Sequence, residues 1–153
     1  MTNLRGFMAS KKGLVMGVAN NRSIAWHIAK TVSDQGAELA FTYQGEALLK
    51  RVQPLASSIG SEFIMPCDVT DDGSIDKVFD EIKSKWGKLD FVLHGIAFSD
   101  KAELTGKYLD TTSGNFSKTM LISCYSFTAI CQRAEALMKD GGSLLTLTYA
   151  GSE

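Results

Sequence analysis

Two stretches of this 153-residue chain carry residue types that handle phosphate and sugar. The first is Gly17-Val18-Ala19-Asn20-Asn21-Arg22-Ser23-Ile24-Ala25, which joins an apolar run to a helical one. A diphosphate needs close backbone approach, which glycine permits, and a helix start with free N–H groups. Ser23 can cap that helix start and also donate to a phosphate oxygen. The G-x-G-x-x-G fingerprint and the G-x-x-x-x-G-K-S/T loop are both absent, so a plain structural turn stays open beside nucleotide binding. The second stretch is Phe41-Thr42-Tyr43-Gln44-Gly45. At this position of a dinucleotide-binding sheet an acidic residue favours NAD, whereas an arginine accommodates the extra phosphate of NADP. Gln44 is a neutral amide that can bond ribose hydroxyls, and no Arg or Lys stands immediately beside it. NAD is the favoured cofactor.

Asp68 follows the apolar stretch Phe63-Ile64-Met65-Pro66-Cys67, so its carboxylate can accept from an adenine amino group while Val69 flanks the ring. A turn-capping role for Asp68 is equally open. Gly95-Ile96-Ala97 offers a tight backbone path for a nicotinamide ribose, and His94 is a candidate acid or base, although a histidine so placed is more often a partly buried strand residue. Tyr43 and Lys50 have the Tyr-x6-Lys spacing of a reductase pair, but they fall on the adenosine side and are rejected as one. Cys67, Cys124 and Cys131 show no C-x-x-C, and the last two are seven residues apart, about 10 Å of helical rise, too far for a disulfide. With two histidines far apart, metal-ligand spacing is absent. Three reduced structural thiols and no metal are expected.

The elements that must position these residues alternate along the chain. Strands are predicted at Leu14–Ala19, Glu38–Tyr43, Phe63–Val69, Leu89–Ile96 and Ser143–Tyr149. Ile24, Ala25, Ile28, Ala29 and Val32 recur at helical spacing, with Gly36 as the stop. A second helix spans Gly45 to Ile59, with Pro54 arguing for a kink or break. Asp71-Asp72 can cap a third helix carrying Ile75, Val78, Phe79, Ile82 and Trp86, closed by Gly87. After an irregular stretch, a long helix should carry Phe116, Met120, Ser123, Phe127, Ile130, Ala134 and Leu137 and be stopped by Gly141-Gly142. Strands alternating with helices imply βαβ units, hence a doubly wound parallel α/β sheet of the Rossmann-like kind. Ligands of such sheets lie outside the carboxyl ends of the strands, which here are Gly17 to Ser23, Tyr43 to Gly45, Cys67 to Val69, His94 to Ser99, and Tyr149.

Length and charge narrow the class further. A chain 44% hydrophobic and 153 residues long can bury a core without metal or disulfide staples. Lys+Arg 16 against Asp+Glu 17 excludes a polybasic nucleic-acid binder. No apolar run approaches a membrane span, and the opening residues lack the apolar core of a signal peptide. A soluble, cytoplasmic protein without nucleic-acid or membrane partners is expected.

Taken together, Gly-Val-Ala-x-x-x-Ser-Ile-Ala at 17–25, Ala-Glu-Leu-Ala-Phe-Thr-Tyr-Gln at 37–44, Cys-Asp-Val at 67–69, Tyr-Ser-Phe at 125–127 and Leu-Leu-Thr-Leu-Thr-Tyr-x-Gly at 144–151 resemble the bacterial NADH-dependent enoyl-acyl-carrier-protein reductases. These are divergent short-chain dehydrogenases/reductases. The resemblance assigns Gly17, Ser23 and Ile24 to the cofactor diphosphate, Gln44 to the adenosine ribose, Asp68 and Val69 to adenine, and Ile96 to the nicotinamide side. It turns the backbone near Ser99 toward the acyl substrate and makes Tyr149 the first of two active-site tyrosines. The implied reaction is hydride transfer from NADH to a trans-2-enoyl thioester on acyl carrier protein, in a homotetramer. The family's second tyrosine and its lysine have no counterpart before Glu153, and the last strands of the sheet are missing. One dinucleotide-binding domain over 1–153, incomplete at its C-terminus and inactive alone, is therefore expected. A non-catalytic nucleotide-binding module and another short-chain reductase remain as alternatives.

Overall fold

Residues 6–152 are described by a computed structural model. Five strands, β1 (Lys12–Met16), β2 (Glu38–Tyr43), β3 (Ile64–Pro66), β4 (Phe91–His94) and β5 (Ser143–Thr146), form one sheet. They are interleaved with α1 (Ile24–Asp34), α2 (Gly45–Ser58), α3 (Asp72–Trp86), α4 (Ser113–Met120) and α5 (Ser126–Ala134). The strand order is β3-β2-β1-β4-β5, and every neighbouring pair is parallel. The doubly wound, Rossmann-like sheet expected from the alternation is the one observed.

The continuous apolar runs of β1, β2 and β4 have a simple cause: both faces of these strands are covered. By contrast, β5 at the sheet edge is exposed along its length, Leu144 and Leu145 included. Leu14 and Met16 of β1, Ala40 of β2 and Val92 of β4 pack with α3 and α5 through Ile75, Val78, Ile82 and Ile130. Their neighbours Val15, Phe41 and Leu93 face the other way, against Trp26, Ala29, Val52 and Ala56 of α1 and α2. Two caps on α3 follow the sequence closely. The Asp71 side chain accepts from the Gly73 N–H at 2.9 Å, and Gly87 takes the left-handed conformation with φ 68°. Arg133 of α5 donates to Asp76 at 2.7 Å and to Asp72 at 2.9 Å, tying the two helices of one face together.

Several expectations need correction. Strands β1, β3, β4 and β5 are shorter than the apolar runs that announced them, because pairing stops where the backbone turns away. Gly17, at φ 90°, ends β1, and β5 stops at Thr146 well before Tyr149. Helix α2 runs unbroken through Pro54. Pro54 and Lys50 are both exposed, so the carbonyl that loses its partner faces water. The predicted long helix is interrupted by a π-helical turn at Leu121–Tyr125. That turn inserts one extra residue per helical repeat and rotates the stripe. Ser126, Ala129, Ile130, Ala134 and Leu137 are buried beyond it, whereas Phe116 and Met120 before it are exposed. No helix among the described residues is long and apolar enough to cross a membrane.

Candidate functional site

In the observed order, β1 pairs with β2 on one side and β4 on the other, so the chain leaves the sheet in opposite directions from two adjacent strands. A crevice opens at such a switch point. Here it is a cleft of about 590 Å³, walled by the segments after β1, β2, β3 and β4 and by one side of α4 and its π-turn. Gly17 and Gly95 cross at its base. A Cβ on Gly17 would overlap the Gly95 carbonyl group, and a Cβ on Gly95 would stand 3.1 Å from both the Met16 oxygen and the Ala25 Cβ. Two backbones thus pass at van der Waals contact, and the floor is peptide rather than side chain.

The loop after β1 is folded by Ser23. Its Oγ accepts from the N–H groups of Ala19 and Asn20, both at 3.0 Å, and not from the helix. The capping role expected of the Ser23 side chain is therefore corrected: it ties down the loop, and its own hydrogen stays free to donate. The helix start keeps its first N–H groups without intrahelical acceptors. Asn20 Oδ1 accepts from the Arg22 N–H at 2.8 Å, completing the turn.

Across the cleft, Gln44 Nε2 donates to Asp68 Oδ2 at 3.0 Å. Asp68 Oδ1 accepts from the Thr70 hydroxyl at 2.7 Å and the Thr70 N–H at 2.9 Å, and the Asp68 N–H donates to Ser74 Oγ at 2.9 Å. These bonds, those from Thr70 first, hold the Asp68 carboxyl below the usual carboxylate range, so it is ionised near neutral pH. Asp68 is thus a turn anchor, and the residue also lines the cleft. Beside it, burial pushes the Cys67 thiol up to about 11, leaving it protonated and unreactive.

The structure brings Gly17, Gln44, Asp68, Val69 and Ile96 together in the lining of this one cleft. Ser23 and Ile24 are not in that lining: Ser23, the residue before α1, bonds Ala19 of the cleft wall, and Ile24 is 64% exposed and lines a shallow apolar groove along the helix. Ser99 lies outside the lining; its Oγ accepts from Asn115 Nδ2 and Thr119 Oγ1, each at 3.1 Å. Tyr149 follows β5 at the carboxyl end of the sheet and is 86% exposed. His94 is not a catalytic candidate. Ser126 Oγ donates to the Ile122 carbonyl at 2.7 Å, so it accepts from His94 Nε2–H at 2.7 Å, and His94 Nδ1 accepts from Thr146 Oγ1 at 2.9 Å. Burial lowers its pKa, and the neutral ring is a core polar link between β4, β5 and α5.

Sequence reasoning missed Thr70, Phe98, Lys118 and Ile122, which also line the cleft. Thr70 carried a signal, standing two residues after Asp68 where Asx-type bonding closes a turn. Lys118 and Ile122 stand at i, i+4 across the junction of α4 and the π-turn, and both line the cleft. The Lys118 ammonium sits 4.7 Å from the centre of the Phe98 ring. Cys67, Cys124 and Cys131 are all unbonded, though Cys124 is exposed rather than structural. No group of three or more His, Cys, Asp or Glu among the described residues could hold a metal ion.

Fold and cleft together define a Rossmann-like α/β protein with its crevice at the strand-order switch point. Comparison with known proteins narrows this class: the family model for Enoyl-(Acyl carrier protein) reductase matches residues 17–153, and the chain belongs to that family. Enoyl-acyl-carrier-protein reductase (NADH) 2 of Rhizobium meliloti is 64% identical over 149 residues, 97% of this chain and 56% of that protein. The crystal structure of FabI from Candidatus Liberibacter asiaticus matches with TM-score 0.94 at 54% identity, covering 96% of this chain and 57% of that one. A reductase of Anaplasma phagocytophilum, solved in complex with NAD, matches with TM-score 0.93 at 55% identity over 97% of this chain and 56% of its own. The chain spans a little over half the length of the curated relatives it matches.

Proposed function

We propose that residues 1–153 form the dinucleotide-binding domain of an NADH-dependent enoyl-acyl-carrier-protein reductase. The observation that carries this reading is the convergence of Gly17, Gln44, Asp68, Val69 and Ile96 on one cleft at the switch point. The residues suit the cofactor. The crossing of Gly17 and Gly95 leaves a cradle that a Cβ would fill, the α1 start offers N–H groups to a diphosphate, and Asp68 offers an ionised acceptor.

Gly17, the Ser23 hydroxyl and the Ile24 N–H hold the diphosphate; Gln44 bonds the adenosine ribose; Asp68 and Val69 take the adenine; Ile96 packs on the nicotinamide side. Held there, a reduced nicotinamide would supply hydride for the β-carbon of an enoyl thioester, with a proton taken up at the α-carbon. The backbone near Ser99 faces the acyl chain, and the Tyr149 hydroxyl assists at the thioester oxygen, where negative charge develops. A preorganised donor at such an oxygen lowers a barrier by several kcal/mol, on the order of ~3. Gln44 and the ionised Asp68 give the ribose corner an amide and a negative charge, which disfavours a 2′-phosphate and selects NADH over NADPH. Lys118, the cation of the cleft wall, is drawn instead over Phe98.

The family's second active-site tyrosine and its lysine do not occur within these 153 residues, so the chain alone binds cofactor without reducing substrate. The whole enzyme works in the cytoplasm as a homotetramer on enoyl-loaded acyl carrier protein. Calorimetric titration of the chain with NADH and NADPH tests the reading. NADH binding at least about tenfold tighter than NADPH supports it; absence of NADH binding, or equal affinities, overturns it.

A further inference from the structure

Asp68 carries the polar recognition at the adenosine end of the cleft, yet a carboxylate on its own is a poor reader of a base. Its terminal torsion is broad and either oxygen can face the ligand. Here the ambiguity is removed by the residue two positions on. Thr70 delivers two donors to the same oxygen: the hydroxyl at 2.7 Å and the N–H at 2.9 Å both reach Oδ1. Those bonds fill the two lone-pair positions of Oδ1. The Ser74 hydroxyl accepts the Asp68 N–H at 2.9 Å and fixes the backbone from the first turn of α3. Oδ2 takes one bond, from Gln44 Nε2 at 3.0 Å, and keeps acceptor capacity for a ligand in the cleft that Asp68 lines.

An acceptor held in this way discriminates between purines. Adenine presents a 6-amino donor, whereas hypoxanthine presents a 6-oxo acceptor at the same position. A fixed anionic oxygen rewards the first and repels the second. A carboxylate free to rotate would be able to turn away and soften that contrast. The same Gln44 bond connects base to sugar, because the amide that steadies Oδ2 is the one that meets the ribose.

We infer that Thr70 is a positioning residue for base selection: by occupying Oδ1 with its hydroxyl and N–H it presents Asp68 Oδ2 to the 6-amino group of an adenine nucleotide. The inference rests on the dinucleotide reading above and deepens it. Thr70 belongs to the cleft wall and is exposed, so its hydroxyl can be removed without opening the core. The ionisable groups beside Asp68 are Cys67 and Asp71 on the same segment; Tyr43 from β2 and Lys118 from α4 line the same cleft, with Lys118 lying over Phe98.

The test uses the full 153-residue chain, NADH and its reduced hypoxanthine analogue as probes, and the variants Thr70→Val and Thr70→Ser. In parallel the Asp68 carboxyl carbon is followed by NMR against pH, a readout that needs no ligand. Thr70→Val should weaken NADH by roughly tenfold, the loss of one hydrogen bond to a charged group, while the hypoxanthine analogue binds no more weakly than before. Thr70→Ser should restore wild-type behaviour. The Asp68 titration should move upward in Thr70→Val and stay in place in Thr70→Ser. Equal weakening of both dinucleotides by Thr70→Val, or an unmoved Asp68 titration, overturns the positioning role. A wild-type chain that binds both dinucleotides equally overturns base selection alone and leaves the cofactor reading standing. A wild-type chain that binds neither overturns both.

Discussion

Replacing Gly17 by alanine probes the structural premise of the cleft, the crossing of two backbones at its floor. Gly17 has φ 90°, a conformation that costs an L-residue about 1–2 kcal/mol. Its new methyl would also overlap the carbonyl of Gly95. That neighbour is backbone at the end of β4, paired to Met16 by an N–H to O bond of 2.9 Å, so no side-chain rotation relieves the overlap. Overpacking of one methyl adds about 1–3 kcal/mol. Gly60 supplies the control. It has a similar φ of 76°, but a Cβ there meets nothing within 4 Å. Gly60→Ala therefore carries the backbone penalty alone, and the change in unfolded-chain entropy is shared by both variants. Urea unfolding of the two, followed by the fluorescence of Trp26 and Trp86, isolates the steric part. Gly17→Ala should be the less stable by about 1–3 kcal/mol, which is about 2–12 °C in Tm for a chain of this size. NADH affinity should fall with it. Equal destabilisation of the two variants refutes the crossing as the reason for glycine at position 17.

Gln44→Arg should narrow the preference for NADH over NADPH by adding a charge-assisted contact to the ribose phosphate; parallel calorimetric titrations in which both affinities change alike would speak against Gln44 as the selector. Ser126→Ala leaves the buried His94 Nε2–H without its acceptor and should lower unfolding stability by about 1–3 kcal/mol in urea. Because burial depresses the His94 pKa in the folded state, the unfolded chain binds the extra proton first, so stability should fall as pH drops from 6.5. His94→Gln should flatten that slope; a slope unchanged between the two proteins would mean that His94 titrates alike in both states.

Much of this protein was legible without coordinates because its signals are local. Turn residues such as Asn20 and Asn21, the Asp71 cap, the glycine stops at Gly36 and Gly87, and apolar runs without alternation are each set by neighbours within a few residues, and they suffice to give the element order. From that order the parallel sheet follows, and from the sheet the carboxyl ends that hold Gly17, Gln44, Asp68 and Ile96. Tertiary structure decided what depends on contacts distant in sequence. The sequence permitted His94 to be an acid or base; Ser126 and Thr146, 32 and 52 residues away, make it a saturated neutral link. Periodicity alone carried the stripe of the long helix through Phe116 and Met120, but a π-turn at Leu121–Tyr125 interrupts it, those two side chains are exposed, and Lys118 and Ile122 line the cleft. Ser23 had the type of a helix cap, and loop geometry gave its oxygen to Ala19 and Asn20 instead. A side chain's type fixes which bonds it can make; only the packed chain fixes which partners are within reach.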